Sequence, residues 1–249
     1  MLNMSQLLIF AAKRVGYELT EYLITKNSPI GRVVIANSND TRLIRLCERN
    51  ILDYEIFDEN TVARIAQARQ KYSWLLNLWS PHILTGRALG LAEYRLNVHP
   101  GLLPYCRGND CAAWTIRNHL PAGVSLIEMD KRVDTGAVYA ERAVPLTFPT
   151  TGGALHSSLE KAAISLFKEA WPEIQAGDLT PVAQAQGGVP FTRKETNRDR
   201  VRHESEKMKI GDLVEWALAH DFQPNSTAEI EKDGKRYALT INLSPLQFN

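Results

Sequence analysis

The sequence predicts an α/β protein: a Rossmann-like, doubly wound, mostly parallel sheet with a small C-terminal helix and β-hairpin appendage. Short, continuously apolar runs at Leu7–Ala11 (LLIFA), Val33–Ala36 (VVIA) and Trp74–Leu78 (WLLNL) alternate with helical patterns. Unbroken apolarity marks strands covered on both faces, and strands alternating with helices build βαβ units and a parallel sheet. Near the other end, AEIEKDGKRYALTINL places two alternating segments around Asp233-Gly234, a strong tight-turn signal.

Between the first three strands, periodicity predicts helices around Val15–Thr25, Thr41–Asn50 and Thr61–Lys71. A strand follows at Tyr94–Val98, then a helix near Cys111–His119. Two strands at Val124–Met129 and Ala137–Ala143 enclose the loop Asp130–Gly136. A long helix over Gly153–Ile174 presents Leu155, Leu159, Ala162 and Leu166 on an apolar face. Beyond it the composition turns polar, which predicts a main domain over 1–185 and a linker with a small subdomain over 186–249. The charged run Arg193–Arg202 reads as a solvated linker, because such residues are mostly exposed. The subdomain itself is expected to hold a helix at Ile210–His220 and the hairpin.

Composition narrows the class of activity. With 44% hydrophobic and 23% charged residues, the chain is an ordinary folded protein. Lys and Arg total 29 against 28 Asp and Glu, so no net field favours a nucleic acid or an anionic membrane as partner, and a small-molecule substrate is expected. No apolar stretch approaches the ~20 residues that span a bilayer. The opening MLNMSQLLIFAAKRVGYELTEYL has neither a basic flank before its apolar run nor a small-residue cleavage site after it, which predicts a cytoplasmic location. The first strand runs into AAKRVGYEL, whose lone glycine is too few for a dinucleotide fingerprint, disfavouring a nicotinamide enzyme. Three cysteines, Cys47, Cys106 and Cys111, form no even framework and are expected to be free, inert thiols. No Cys/His grouping has metal-site spacing, so no metal is assigned.

Chemistry concentrates in RLNVHPGLLPYCRGNDCAAW. Asn97 and His99 lie two apart at the end of a predicted strand, so their side chains share a face. Ligands of open α/β sheets bind outside the carboxyl ends of the strands. His99 can take up a proton near neutral pH, Asn97 can donate to a developing oxyanion, and Asp134 in the following loop can orient an imidazole or a water. Such a set suits acyl transfer to an amine. The same residue types also suit turns, and on these grounds alone both readings stay open.

LNVHPGLLPYCRG, followed by AAWTIRNHLPAGVSLIEMDKRVDTGAVYAERAV, resembles the core of the 10-formyltetrahydrofolate-dependent formyltransferases over about Trp74–Val144. An N-x-H-P strand end, an L-P-x-x-R-G loop, a tryptophan-bearing helix, a G-V-[ST] strand and a D-x-G loop occur in order. The resemblance implies that Asn97, His99 and Asp134 are catalytic, that 10-formyltetrahydrofolate is the donor, and that transfer is direct. LWSPHILTGRAL resembles the family stretch covering the pterin ring, which implies His82, Ile83 and Leu84 on one wall of the folate pocket, with Met129, Asp130, Lys131 and Val133 on the other. Ile83 and Leu84 read equally well as core residues after a strand.

The family divides by acceptor: glycinamide ribonucleotide, methionyl-tRNA, or an amino group on a nucleotide-linked sugar. The near-neutral charge and the absence of a glycine-rich phosphate loop in FAAKRVGYE disfavour the first two. The ending IGDLVEWALAHDFQPNSTAEIEKDGKRYALTINL resembles the tail of the sugar-nucleotide N-formyltransferases, with Trp216, Cys106 and Ile127 departing from the arginine, asparagine and histidine common there. The resemblance implies formylation of a dideoxy amino sugar for a cell-surface glycan such as lipopolysaccharide O-antigen. Tyr105, Arg107 and Gly108 become candidates for touching that acceptor, with Lys13 or Arg14 near its diphosphate. A two-stranded tail is marginal alone in water, which predicts a homodimer. A formyltetrahydrofolate hydrolase and a non-catalytic folate-binding module remain as alternative classes.

Overall fold

The computed structural model describes residues 6–84 and 86–246. Met1–Ser5, within the opening stretch read above, Thr85 and Gln247–Asn249 lie outside the described residues. In chain order the elements are β1 (Leu7–Ala11), α1 (Lys13–Thr25), β2 (Ile30–Ile35), α2 (Thr41–Arg49), β3 (Tyr54–Ile56), α3 (Thr61–Gln67), β4 (Tyr72–Leu78) and β5 (Ala92–His99). They continue with β6 (Cys106–Gly108), α4 (Cys111–Arg117), β7 (Gly123–Glu128), β8 (Val138–Ala143), α5 (Gly152–Ala176), β9 (Val189–Phe191) and α6 (Arg193–Asp199). Last come β10 (Val201–His203), α7 (Ile210–Ala219), β11 (Ala228–Lys232) and β12 (Lys235–Leu239).

The chain forms two compact units: one holds the residues up to His99, Val124–Arg142 and Glu160–Gln186; the other holds Pro100–Gly123, Ala143–Leu159 and the residues from Gly187 onward. In the first, seven strands form one sheet in the order β3-β2-β1-β4-β5-β7-β8. β1 pairs in parallel with both β2 and β4, β4 with β5, and β7 runs antiparallel to β5. All five residues of LLIFA are buried at 0% exposure, as a strand covered on both faces requires. Leu8, Phe10, Val34 and Leu75 pack on one side with Ile65 of α3. On the other, Trp74 of β4 meets Trp171 of α5 edge to face at 5.2 Å, Trp171 stacks on Phe167, and Phe167 meets Tyr22 of α1. Helices thus cover both faces, as the apolar runs predict. The third predicted helix is shorter than expected: it ends at Gln67 rather than Lys71, and Arg69 takes a left-handed φ of 53°. β3, a three-residue edge strand of half-buried residues, has no apolar run to announce it.

In the second unit, β6 pairs with β9, and β10, β11 and β12 form a three-stranded sheet. The predicted hairpin is present, with Asp233 and Gly234 both at positive φ in its turn. The charged run Arg193–Arg202 is not a solvated linker. Thr192 and Glu195 make a capping box that starts α6, and β10 pairs in parallel with β11. The run stays folded because its partly buried Asp199 is a hub: Arg117 Nε donates to it at 3.0 Å, His220 Nε2 lies at 2.8 Å, and Arg202 bonds the other carboxyl oxygen. Trp216, fully buried, donates its indole N–H to the Asp199 carbonyl at 2.6 Å, with the Arg202 guanidinium 5.5 Å from its ring centroid. The tryptophan that departs from the family pattern is therefore the centre of a small core completed by Ala217, Ala228, Leu213, Ile230 and Leu239.

Burial alone would raise the Asp199 carboxyl, but the hydrogen bonds from His220, Arg117 and Arg202 outweigh it and hold the group well below the usual carboxylate range. A carboxyl with a depressed folded-state pKa contributes its full stability above the unfolded value of ~3.9 and loses it as pH falls toward the folded value. Asp199→Asn, which strands two arginines, is expected to destabilise the protein by roughly 3 kcal/mol at pH 7. In urea unfolding, the gap from wild type should narrow as pH falls below about 4. A gap unchanged between pH 7 and pH 3 would show that the charge of Asp199 is not what matters.

Candidate functional site

The sheet places Asn97 and His99 on one face of β5 by the two-residue period of a strand. β5 lies between β4 and β7, with Asn97 opposite Asn77 on one side and Ile127 on the other, and His99 opposite Ser125. His99 is 2% exposed. The loop between β7 and β8 returns Asp134 to the same face. Asn97 Nδ2 donates to Asp134 Oδ1 at 3.1 Å, and His99 Nδ1 lies 3.4 Å from Asp134 Oδ2. One carboxylate therefore spans two residues that a strand has already aligned. The His99 contact is long for a hydrogen bond. Nδ1 is the ring nitrogen that faces the carboxylate.

The loop holds its shape by local bonds. Asp130 accepts from the Arg132 N–H at 2.9 Å and from the Thr135 hydroxyl, and Asp134 sits at a φ of +54°. Gly136 follows because nothing larger fits: a Cβ there would stand 2.0 Å from the Glu128 carbonyl oxygen. Sequence reasoning missed two neighbours of this site. Ser125, fully buried opposite His99, donates to Glu141 of β8 at 2.9 Å, and the antiparallel register of β5 and β7 would have revealed it. Gln184 donates its side-chain amide to the Asp134 carbonyl at 3.0 Å and to the Gly136 carbonyl at 2.7 Å. A lone glutamine after a helix gives no sequence signal for that.

The residues read as pterin walls have mixed surroundings. His82 stacks on Phe57 with ring centroids 3.7 Å apart and its Nε2 lies 3.1 Å from the Ala36 carbonyl. Ile83 is 64% exposed, while Leu84 is buried in the cluster of Leu8, Phe10 and Leu75, against which Met129 also packs. Asp130 closes the loop as described, and Lys131 and Val133 are exposed. Tyr105, Arg107 and Gly108 belong to the second unit. Tyr105 is half-exposed, and Gly108, at φ +83°, faces the Phe191 backbone where β6 meets β9; a Cβ would meet Phe191 O at 2.2 Å. That close approach is a structural reason for the glycine. Lys13 N–H bonds Asp40 at 2.6 Å, and Arg14 pairs with Glu18 at 2.7 Å.

Cys47, Cys106 and Cys111 are buried and outside any disulfide, and burial pushes the Cys47 thiol up to about 11, far from a reactive thiolate. Among the described residues no group of three or more His, Cys, Asp or Glu could hold a metal ion, and no helix is long and apolar enough to cross a membrane.

A family model described as formyl transferase matches residues 31–171. The chain belongs to the formyl transferase family. Among curated proteins, it is 39% identical over 147 residues to a methionyl-tRNA formyltransferase from Levilactobacillus brevis, a stretch covering 58% of this chain and 45% of that one. The chain thus spans under half the length of that relative. Among solved structures, a 4-N formyltransferase from Francisella tularensis superposes with a TM-score of 0.84 at 15% identity, covering 98% of this chain and 100% of the other. A sugar N-formyltransferase from a Shewanella species gives a TM-score of 0.82 at 17% identity, with the same coverage. At such identities the likeness is one of fold, and this formyl transferase chain shares that fold along nearly its whole length.

Proposed function

We propose that this chain is an N-formyltransferase that moves a formyl group from 10-formyltetrahydrofolate to the amine of a nucleotide-linked dideoxy amino sugar. The observation that carries the chemistry is the convergence of Asn97 and His99 on one Asp134 carboxylate in a buried setting. The acceptor amine attacks the formyl carbon, giving a tetrahedral oxyanion. Asn97, with a second amide hydrogen beyond the one given to Asp134, donates to that oxyanion, where low local dielectric strengthens the interaction. His99 takes the proton lost by the amine and gives it to the departing folate nitrogen as the C–N bond breaks, leaving a formamide and tetrahydrofolate. Asp134 holds the imidazole and stabilises its protonated form. No covalent enzyme intermediate is needed.

His82, Ile83, Leu84 and the segment from Met129 to Val133 form the pterin walls in this reading, supported by the shared packing of Leu84 and Met129. Tyr105, Arg107 and Gly108 are the acceptor contacts. The choice of acceptor is supported by fold: the sugar N-formyltransferase from a Shewanella species superposes on 98% of this chain with a TM-score of 0.82. A structural neighbour from Helicobacter canadensis, with a TM-score of 0.74 at 16% identity over 93% of this chain and 85% of its own, was solved with folinic acid and dTDP-3-aminofucose. The enzyme works in the cytoplasm as a homodimer and supplies a formylated sugar to a cell-surface glycan such as O-antigen.

His99→Ala is expected to lower kcat about 100-fold or more, and Asn97→Ala on the order of 100- to 1,000-fold, with folding preserved in each. Asp134→Asn should fall in the same direction, and wild-type turnover there would reduce Asp134 to a turn former. For the acceptor, mass spectrometry should show one formyl group added to an amino-sugar nucleotide in a panel that also contains glycinamide ribonucleotide and methionyl-tRNA. Efficient formylation of either of the latter two, with every amino sugar ignored, would overturn the sugar assignment and leave the catalytic residues standing.

A further inference from the structure

Gln184 lies beyond the stretch that matches the family, in the segment after α5. That segment runs beside β8 through two reciprocal backbone bonds, Val138 N–H to Val182 O and Val182 N–H to Val138 O, both 2.8 Å. The carboxamide of Gln184 thus arrives on a fixed backbone. Its nitrogen gives both hydrogens to one turn, to the carbonyls of Asp134 and Gly136. Asp134 needs such a hold, because its φ of +54° is a strained setting that persists only where the surroundings over-determine it. The other end of the turn is seated by the close approach of Gly136 to Glu128.

We propose that Gln184 is a positioning residue for formyl transfer: by clamping the carbonyls on either side of Thr135, it sets the direction from which the Asp134 carboxylate reaches Asn97 and His99. The inference rests on the role of Asp134 proposed above and extends the assembly to a residue that acts through Asp134. Rotation of the Asp134 peptide would swing its carboxylate off one of its two partners, since Oδ1 and Oδ2 each serve a different one. Displacements of about 1 Å at such a group can lower a rate 100-fold.

The test uses Gln184→Ala, Gln184→Glu and Asp134→Asn in the full chain, assayed with 10-formyltetrahydrofolate and the amino-sugar nucleotide formylated fastest in the screen above. Glutamate keeps the shape of glutamine and, ionised, has no hydrogen to give, so it separates donation from packing. Both Gln184 variants should lose roughly 10- to 100-fold in kcat, with KM for the folate within about twofold and Tm within a few degrees of wild type. Hydrogen exchange, which needs no acceptor, should quicken at the Thr135 and Gly136 amides of both variants. Wild-type kcat in the Gln184 variants beside a disabled Asp134→Asn would overturn the positioning role and leave Asp134 in the reaction. Wild-type kcat in all three would overturn both. A loss in the alanine variant not shared by the glutamate variant would assign Gln184 to packing and also overturn the proposal.

Discussion

Everything at the candidate site depends on one constraint: two polar side chains two residues apart on an interior strand must share a single carboxylate. β5 supplies the spacing, and its neighbours β4 and β7 prevent the strand from shifting register. A one-residue slip would turn Asn97 and His99 to the opposite face of the sheet. Burial then raises the value of each contact, because an imidazole at 2% exposure has little water to replace a lost partner. Asp134 answers with one oxygen to each, from a loop that could not close without a glycine at 136.

The second unit is organised by a comparable device with a different use. Asp199 gathers Arg117, Arg202 and His220 around a carboxylate, while its own carbonyl takes the Trp216 indole. Such a hub ties α4, α6 and α7 together where the apolar core is small. It also turns a stretch of charges that composition reads as linker into folded structure. Trp114 and Phe191 add a stacked pair at 4.6 Å in the same unit, with Trp114 donating to Thr196.

Legibility in the sequence followed burial. Leu7–Ala11 could be read to the residue because a strand covered on both faces tolerates only apolar side chains. The N-x-H pair was readable because a strand's period is fixed, and the D-G turn because its left-handed backbone favours those residue types. Elements held by polar partners were not. The role of Asp199 depends chiefly on Arg117 and His220, 82 and 21 positions away, and that of Gln184 on backbone carbonyls 50 and 48 positions away; neither relation leaves a local pattern. Ile83 shows the same limit from the other side: its exposure, not its identity, separates a surface residue from a core one.

If Asn97, His99 and Asp134 act as one assembly, removing a second member should cost little once the first is gone. A double-mutant cycle on His99→Ala and Asp134→Asn, read as kcat for formyl transfer, measures that coupling directly. The double variant is predicted to be about as slow as His99→Ala alone. Losses that simply multiply would mean that Asp134 and His99 act independently, and would contradict a shared role for the carboxylate that joins them.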